Sequence, residues 1–303
     1  MKKIIYTIVC VMLTAAFSGC SSTATNINTN VINKEQGIVL DIMVTNKPLE
    51  FMVKDIVGDK HLVDYMFKDE NQINDFSFSK DSLDNIGKQD LFIYSGIDFE
   101  PWMDDFLSKL DKSHVGVINA SRGVKTISFD TKVKYKNKEL DKNPYYWLDI
   151  NDYRVMLNNI KNSIEDKDPQ NRDYYEKNFE ASLKKLDKYK DQMNKISDKS
   201  KAYTFITTSD KFDYLTKSLG LKMIKISGKN SLSPDEKSKL DKARDDLKNL
   251  CFLYENDNDL NDNKDIIAAY NLKPVKLTSY NGDLKYTDIL KNDFDSLTNA
   301  VKD

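Results

Sequence analysis

The sequence is poor in the side chains that most often hold metals or make covalent crosslinks: 303 residues carry three cysteines and two histidines. Cys10 lies in an apolar leader and Cys20 at its end. Only Cys251 remains in the body, so no internal disulfide can close and no CxxC metal or redox site exists. Stability must come from packing. Charge of one sign is lacking as well, because 46 Lys and Arg are interspersed with 48 Asp and Glu, and no nucleic-acid partner is expected. There is no glycine-rich GxxxxGK[ST] loop and no nucleophile with a nearby histidine, so no enzyme is expected. The apolar run from Ile4 to Phe17 is too short to span a bilayer comfortably.

That run follows Lys2 and Lys3 and leads through small residues to Cys20, which reads as a secretory signal over residues 1–19 with a lipidation site at Cys20. Phe17-Ser18-Gly19-Cys20 resembles the bacterial lipobox, in which the cysteine takes a diacylglycerol and becomes the new N-terminus; Phe17 replaces the usual leucine. The body is then expected outside the cytoplasm, lipid-anchored to the bacterial cell membrane. Residues 20–36 are rich in Ser, Thr and Asn and read as a flexible tether.

From Gly37 onward, apolar runs alternate with amphipathic ones. GIVLDIMV, DLFIYSG and HVGVINA read as strands in one half; AYTFITT, KMIKIS, CFLYEN and PVKLTS read as strands in the other. Amphipathic stretches such as KPLEFMVKDIVG and KFDYLTKSLG fall between them. The alternation predicts an α/β protein of two parallel-sheet lobes, over residues 37–167 and 199–303. Between them Tyr175, Phe179, Leu183, Leu186, Met193 and Ile196 keep one face of a helix, which predicts a single stiff linker helix over residues 168–198, with Asp168 as N-cap and Pro169 in its first turn. Ser233-Pro234-Asp235-Glu236 predicts a capping box. The lysine-rich stretch from Asp130 to Asn143 reads as a solvated, mobile loop.

These blocks, in this order, resemble a known family: the zinc and manganese receptors of bacterial ABC importers, solute-binding lipoproteins with two lobes joined by one long helix. The resemblance runs through KPLEFMVKDIVGDKHLV, DLFIYSGIDFEPWMDDFL, NPYYWLD, DPQNRDYYEKNFEASLKKLD, FITTSDKFDYLTKSLGL, ISGKNSLSPDE and YTDILKNDFDSLTNAV. It implies a periplasmic-binding-protein-like fold with a metal between the lobes, held by histidines and acids. The four ligand slots that the resemblance locates hold Asn74, Tyr145, Ser209, and Thr278 or Ser279 instead. His61 and His114 read as ordinary surface or edge histidines. Arg122 stands where family members commonly carry an acid, and either meets an anionic group or pairs with a nearby acid.

The leading expectation is therefore a monomeric importer receptor working with a membrane-embedded permease. Its cleft would be rebuilt for a non-metal, anionic small solute, with Asn74, Arg122, Tyr145, Ser209 and Ser279 as ligand-binding residues and no cofactor. The alternative keeps a divalent metal, on the neighbouring carboxylates Asp75, Asp149, Asp210 and Glu255 with tyrosine or asparagine oxygens, which suits a hard cation such as manganese or calcium better than zinc. A third reading is an adhesion lipoprotein with an empty cleft. In the aromatic loop NPYYWLD, Trp147 and Leu148 are expected in the core, Asp149 as a helix cap, and Tyr145 as a wall for solute.

Overall fold

The computed structural model describes residues 37–135, 138–247 and 249–302. The leader, Cys20 and the tether lie outside the described residues. Chain order in the first lobe is β1 (Asp41–Asn46), α1 (Lys47–Val57), β2 (Leu62–Phe67), α2 (Glu70–Asp75), α3 (Lys80–Gly87), β3 (Leu91–Tyr94), α4 (Met103–Lys109) and β4 (Gly116–Asn119). Its four strands are all parallel, in the order β2-β1-β3-β4. The strand-to-helix switch after β1 is written locally. Asn46 Oδ1 accepts the Leu49 N–H at 3.1 Å, Pro48 sits in the first turn, and the helix stops at Gly58, whose φ of 56° a side chain would resist.

A hairpin of β5 (Ser128–Tyr135) and β6 (Lys138–Lys142) follows, pairing antiparallel. This corrects the sequence reading of a mobile loop there: the lysines obscure an alternating strand pattern. After a short 3-10 turn at Tyr146–Leu148 comes α5 (Ile150–Lys167), with Asp149 as its N-cap, accepting the Asn151 N–H at 2.7 Å. The expected single linker helix is instead a 3-10 turn at Pro169–Asn171 followed by two helices, α6 (Arg172–Asp187) and α7 (Lys190–Ser200). Asp168 takes the N-cap position of that 3-10 turn, with Pro169 in the turn itself, but its side chain makes no cap bond and instead accepts from Tyr175 Oη at 2.5 Å and Asn171 Nδ2 at 2.7 Å. The two helices divide the linking work: α6 packs on α1 and α5, whereas α7 packs on the last helix of the second lobe.

The second lobe runs β7 (Thr204–Thr207), α8 (Asp213–Ser218), β8 (Met223–Lys225), α9 (Pro234–Leu247), β9 (Leu250–Tyr254), α10 (Asp257–Asp262), α11 (Lys264–Ala269), β10 (Lys273–Lys276) and α12 (Tyr286–Ala300). The parallel order β10-β9-β7-β8 repeats the first lobe's topology. The Ser233 capping box forms as expected at the start of α9, with Glu236 N donating to Ser233 Oγ at 3.2 Å. In α12, Tyr286, Ile289, Leu290, Phe294 and Leu297 are all buried, as the three- and four-residue spacing requires. One buried apolar cluster runs through both lobes, and two smaller ones line the outer faces of the sheets, giving helices on both sides of each sheet.

The lobes meet closely. Gly282 approaches Lys68 so tightly that a Cβ would lie 2.2 Å from the Lys68 carbonyl oxygen, and Tyr280 Oη donates to that same oxygen at 3.0 Å. Trp147 Nε1 donates to Ser279 O at 2.9 Å, and Asn143 Nδ2 to Asp210 O at 2.5 Å.

Candidate functional site

In an open parallel sheet the natural binding crevice lies beyond the carboxyl ends of the strands, where the strand order reverses. Each lobe has one such point, between β1 and β3 and between β7 and β9. In the second lobe the residues just past it are Ser209, Asp210 and Lys211 after β7, and Glu255 after β9. The Lys211 ammonium lies 3.2 Å from Glu255 Oε2 and 3.0 Å from Glu70 Oε2, the latter at the start of α2 in the opposite lobe. It therefore bridges one carboxylate from each lobe.

Each carboxylate is anchored on its far side. Glu255 Oε1 accepts Ser279 N–H at 2.8 Å and Ser279 Oγ at 2.5 Å, while Glu70 Oε1 accepts the Tyr145 hydroxyl. The Tyr145 ring lies below the ammonium, 5.1 Å from centroid to Nζ, adding a cation–π contact. Burial opposes the charge on Lys211, but the two glutamates outweigh it and hold the ammonium above its usual range. Burial, then the Glu70 charge, pushes the Tyr145 phenol well above its usual range, so it stays a neutral donor. Side-chain exposure is 31% for Lys211 and 22% for each glutamate, so the group is partly wet rather than sealed.

The groove opens on both sides of this bridge. A cleft of about 700 Å³ is walled by Asn74, Tyr145, Ser209, Asp210 and the β5 residues Phe129 and Asp130. A second opening of about 620 Å³ lies towards Asp69, Lys276, Tyr280 and Asp283. Glu70 belongs to both.

Three of the five residues expected to bind solute thus come together: Asn74, Tyr145 and Ser209 all face the larger cleft. Ser279 does not; it is fully buried and braces Glu255 from behind. Arg122 is exposed on the turn after β4 and lines none of the described clefts; its carbonyl accepts from Asn159 Nδ2 at 2.8 Å. The alternative carboxylate set is also dispersed. Asp75 is exposed at the end of α2, Asp149 caps α5, and Asp210 is held by Lys225 at 2.7 Å, leaving Glu255 alone at the bridge. Among the described residues, no group of three or more His, Cys, Asp and Glu is placed to hold a metal ion.

Sequence reasoning missed Glu70 and Lys211. Both carried a signal: Glu70 is one helical turn before Asn74, on the same face, and Lys211 follows Ser209-Asp210 directly. His114 is exposed, as expected. His61 is a correction, because it is buried, with Nε2 2.7 Å from Tyr175 Oη and Nδ1 accepting the Leu40 N–H at 3.3 Å. Burial lowers its pKa despite the nearby Asp168, so it serves as a neutral packing residue at the β2 edge.

Two α/β lobes, a helical link between them and a charged crevice at the strand ends define a periplasmic-binding-protein-like receptor. Residues 42–300 match the family model described as ZnuA, zinc-uptake complex component A periplasmic, and the chain belongs to that family. It is 28% identical over 235 residues to the high-affinity zinc uptake system protein ZnuA of Bacillus subtilis, covering 75% of this chain and 70% of that one. It is 27% identical over 194 residues to the manganese ABC transporter substrate-binding lipoprotein PsaA of Streptococcus mitis, covering 61% of each. Such matches to streptococcal relatives span less than two thirds of their length. The crystal structure of the metal-dependent lipoprotein YcdH from Bacillus subtilis superimposes with a TM-score of 0.70 at 25% identity, covering 86% of this chain and 99% of that one. These relatives favour the metal alternative over the non-metal solute. Among the described residues, no helix is long and apolar enough to cross a membrane.

Proposed function

We propose that this chain is the capture component of an ABC importer, held outside the cell by lipid on Cys20, and that its cargo is a divalent cation handed to a membrane permease. No catalysis is assigned to it. The observation that carries the reading is the convergence of Glu70 and Glu255, one from each lobe, on a single position already occupied by positive charge. A dication at that position would meet two carboxylates, with the Tyr145 hydroxyl and the Asn74 amide nearby. Family membership and the names of the relatives support the same cargo class.

The donors are all oxygen. Tight zinc sites use imidazole or thiolate, whereas carboxylate, phenol and amide oxygens suit manganese or calcium. We therefore place manganese ahead of zinc. One observation favours the non-metal reading: Lys211 already neutralises the glutamates, and a 700 Å³ cleft is ample for a small organic solute.

Calorimetric titration of chelator-stripped protein with manganese, calcium and zinc chlorides tests the assignment. Manganese binding at one site per chain, lost in Glu255→Gln, is expected. Absence of any heat or melting shift with all three ions, together with a shift on adding a small organic anion, would move the assignment to the non-metal solute.

A further inference from the structure

In the Glu70–Lys211–Glu255 bridge the chain supplies its own cation. An ammonium tethered to the second lobe sits between carboxylates of both lobes, with a tyrosine ring beneath it. No hydrogen bond of Lys211 Nζ to any group other than these two glutamates is formed among the described residues, so the side chain is directed wholly at them. Its backbone is fixed as well, because Lys211 N–H donates to Ser209 Oγ at 3.2 Å. Lys225 next to it behaves differently. It is surrounded by Asp130, Asp210 and Asp213 at 2.6, 2.7 and 2.8 Å, a surplus of acid that makes it a structural tie between the β5 strand and the second lobe.

We propose that Lys211 is a built-in competitor for the cargo and sets both the affinity and the selectivity of the site. A dication takes the place between Glu70 and Glu255 only when the ammonium swings out into the open groove. The inference rests on the cargo reading above. Until the ammonium leaves, the binding-competent form is a minor fraction, and the apparent dissociation constant is raised by the inverse of that fraction. Monovalent ions lack the charge to displace a tethered ammonium from two carboxylates, so the lysine also acts as a filter for charge.

The groove on both sides gives the side chain somewhere to go, and 31% of that side chain is exposed to solvent. The carboxylates need not move, being braced by Tyr145 and Ser279.

The experiment compares manganese affinity of the full chain, chelator-stripped, as wild type, Lys211→Met, Lys211→Arg and Lys276→Met. Lys276 lines the second opening and, among the described residues, forms no ion pair with Glu70 or Glu255, so its removal reports the general field of a lost positive charge. Melting curves without metal establish that each variant is folded. We expect Lys211→Met to bind manganese about tenfold or more tightly than wild type, Lys276→Met to stay within about twofold, and Lys211→Arg to show no gain. If wild type binds manganese and Lys211→Met binds it no better, or Lys276→Met gains as much, the competitor role is overturned while the cargo reading stands. If neither wild type nor folded Lys211→Met binds manganese, calcium or zinc, both fall.

Discussion

The two lobes share one topology and use the crevice at its centre in opposite ways. In the first lobe the place beyond β1 and β3 is filled from within. Glu100 is buried, accepts Thr45 Oγ1 at 2.5 Å, and takes the backbone N–H groups of Ser95 and Gly96 at 2.9 and 3.0 Å. Burial raises its pKa in spite of those bonds. In the second lobe the equivalent place is left charged and open, with Lys211 and Glu255 reaching towards Glu70 across the cleft. A carboxylate that finds all its donors inside its own lobe is structural. One that must share a cation with the other lobe is available to a ligand.

The largest effect that would break this contrast is expected at Glu100. Glu100→Ala leaves three buried donors unpaired and should lower unfolding stability by about 3 kcal/mol or more, measured by denaturant titration. Glu100→Gln, which still accepts, should cost clearly less. A small effect of the alanine change would show that the first crevice is not held from within.

Next comes the contact that brings the lobes together. Gly282→Ala forces its methyl against the Lys68 carbonyl and should both destabilise, by about 1–3 kcal/mol, and open the cleft, seen as a larger radius of gyration in solution scattering. Lys211→Met should change stability by no more than about 1 kcal/mol, because a partly exposed ion pair is screened by water. Its effect should appear in ligand affinity instead. Equal losses in Glu100→Ala and Lys211→Met would erase the distinction between the lobes.

The smallest effects concern charges that line neither opening of the groove. Asp152, in the first turn of α5, has its pKa raised to about 6 by burial and by the neighbouring Asp149. A carboxyl that binds its proton more tightly when folded than when unfolded costs stability above pH 6. That cost fades as pH falls from about 6 towards the ordinary carboxylate value near 4. Asp152→Asn should therefore raise the melting temperature at pH 7 and have little effect at pH 4. Arg122→Ala should leave both ligand binding and stability within about 0.5 kcal/mol of wild type; a clear loss of binding would return Arg122 to the site.

Most of the fold was legible because it rests on local patterns. The seven predicted strands fall at β1, β3, β4 and β7–β10, and the Ser233 and Asp149 caps form as their spacing implies. β2 was missed because Asp64 interrupts the apolar run of LVDYMF, a sheet-edge strand flanked by charged residues, and the β5–β6 hairpin because its lysines hide its alternation. The break between α6 and α7 was illegible for another reason: Leu186, Met193 and Ile196 keep helical spacing straight through the turn at 188–189.

The site was legible in part. Its ligand slots were located from flanking blocks, and Tyr145, Asn74 and Ser209 do share a cleft. What a single sequence does not reveal is partnership across lobes. Glu70 and Lys211 are 141 residues apart, and nothing in the neighbourhood of either announces the other. Ser279 was expected to meet solute, but it is buried and donates to Glu255, and it is Glu255 that reaches the cleft.

The central claim is that an ammonium of the chain itself stands where cargo would sit. Nitrogen-detected NMR of 15N-lysine-labelled protein measures this directly, with Lys211→Met assigning the signal. A slowly exchanging Lys211 ammonium resonance should be seen in the ligand-free protein, vanish in Glu70→Gln/Glu255→Gln, and shift to the position of a solvent-exposed lysine on saturation with calcium. A Lys211 signal that is already solvent-like without ligand, or one that stays unchanged at full calcium occupancy, would contradict the account.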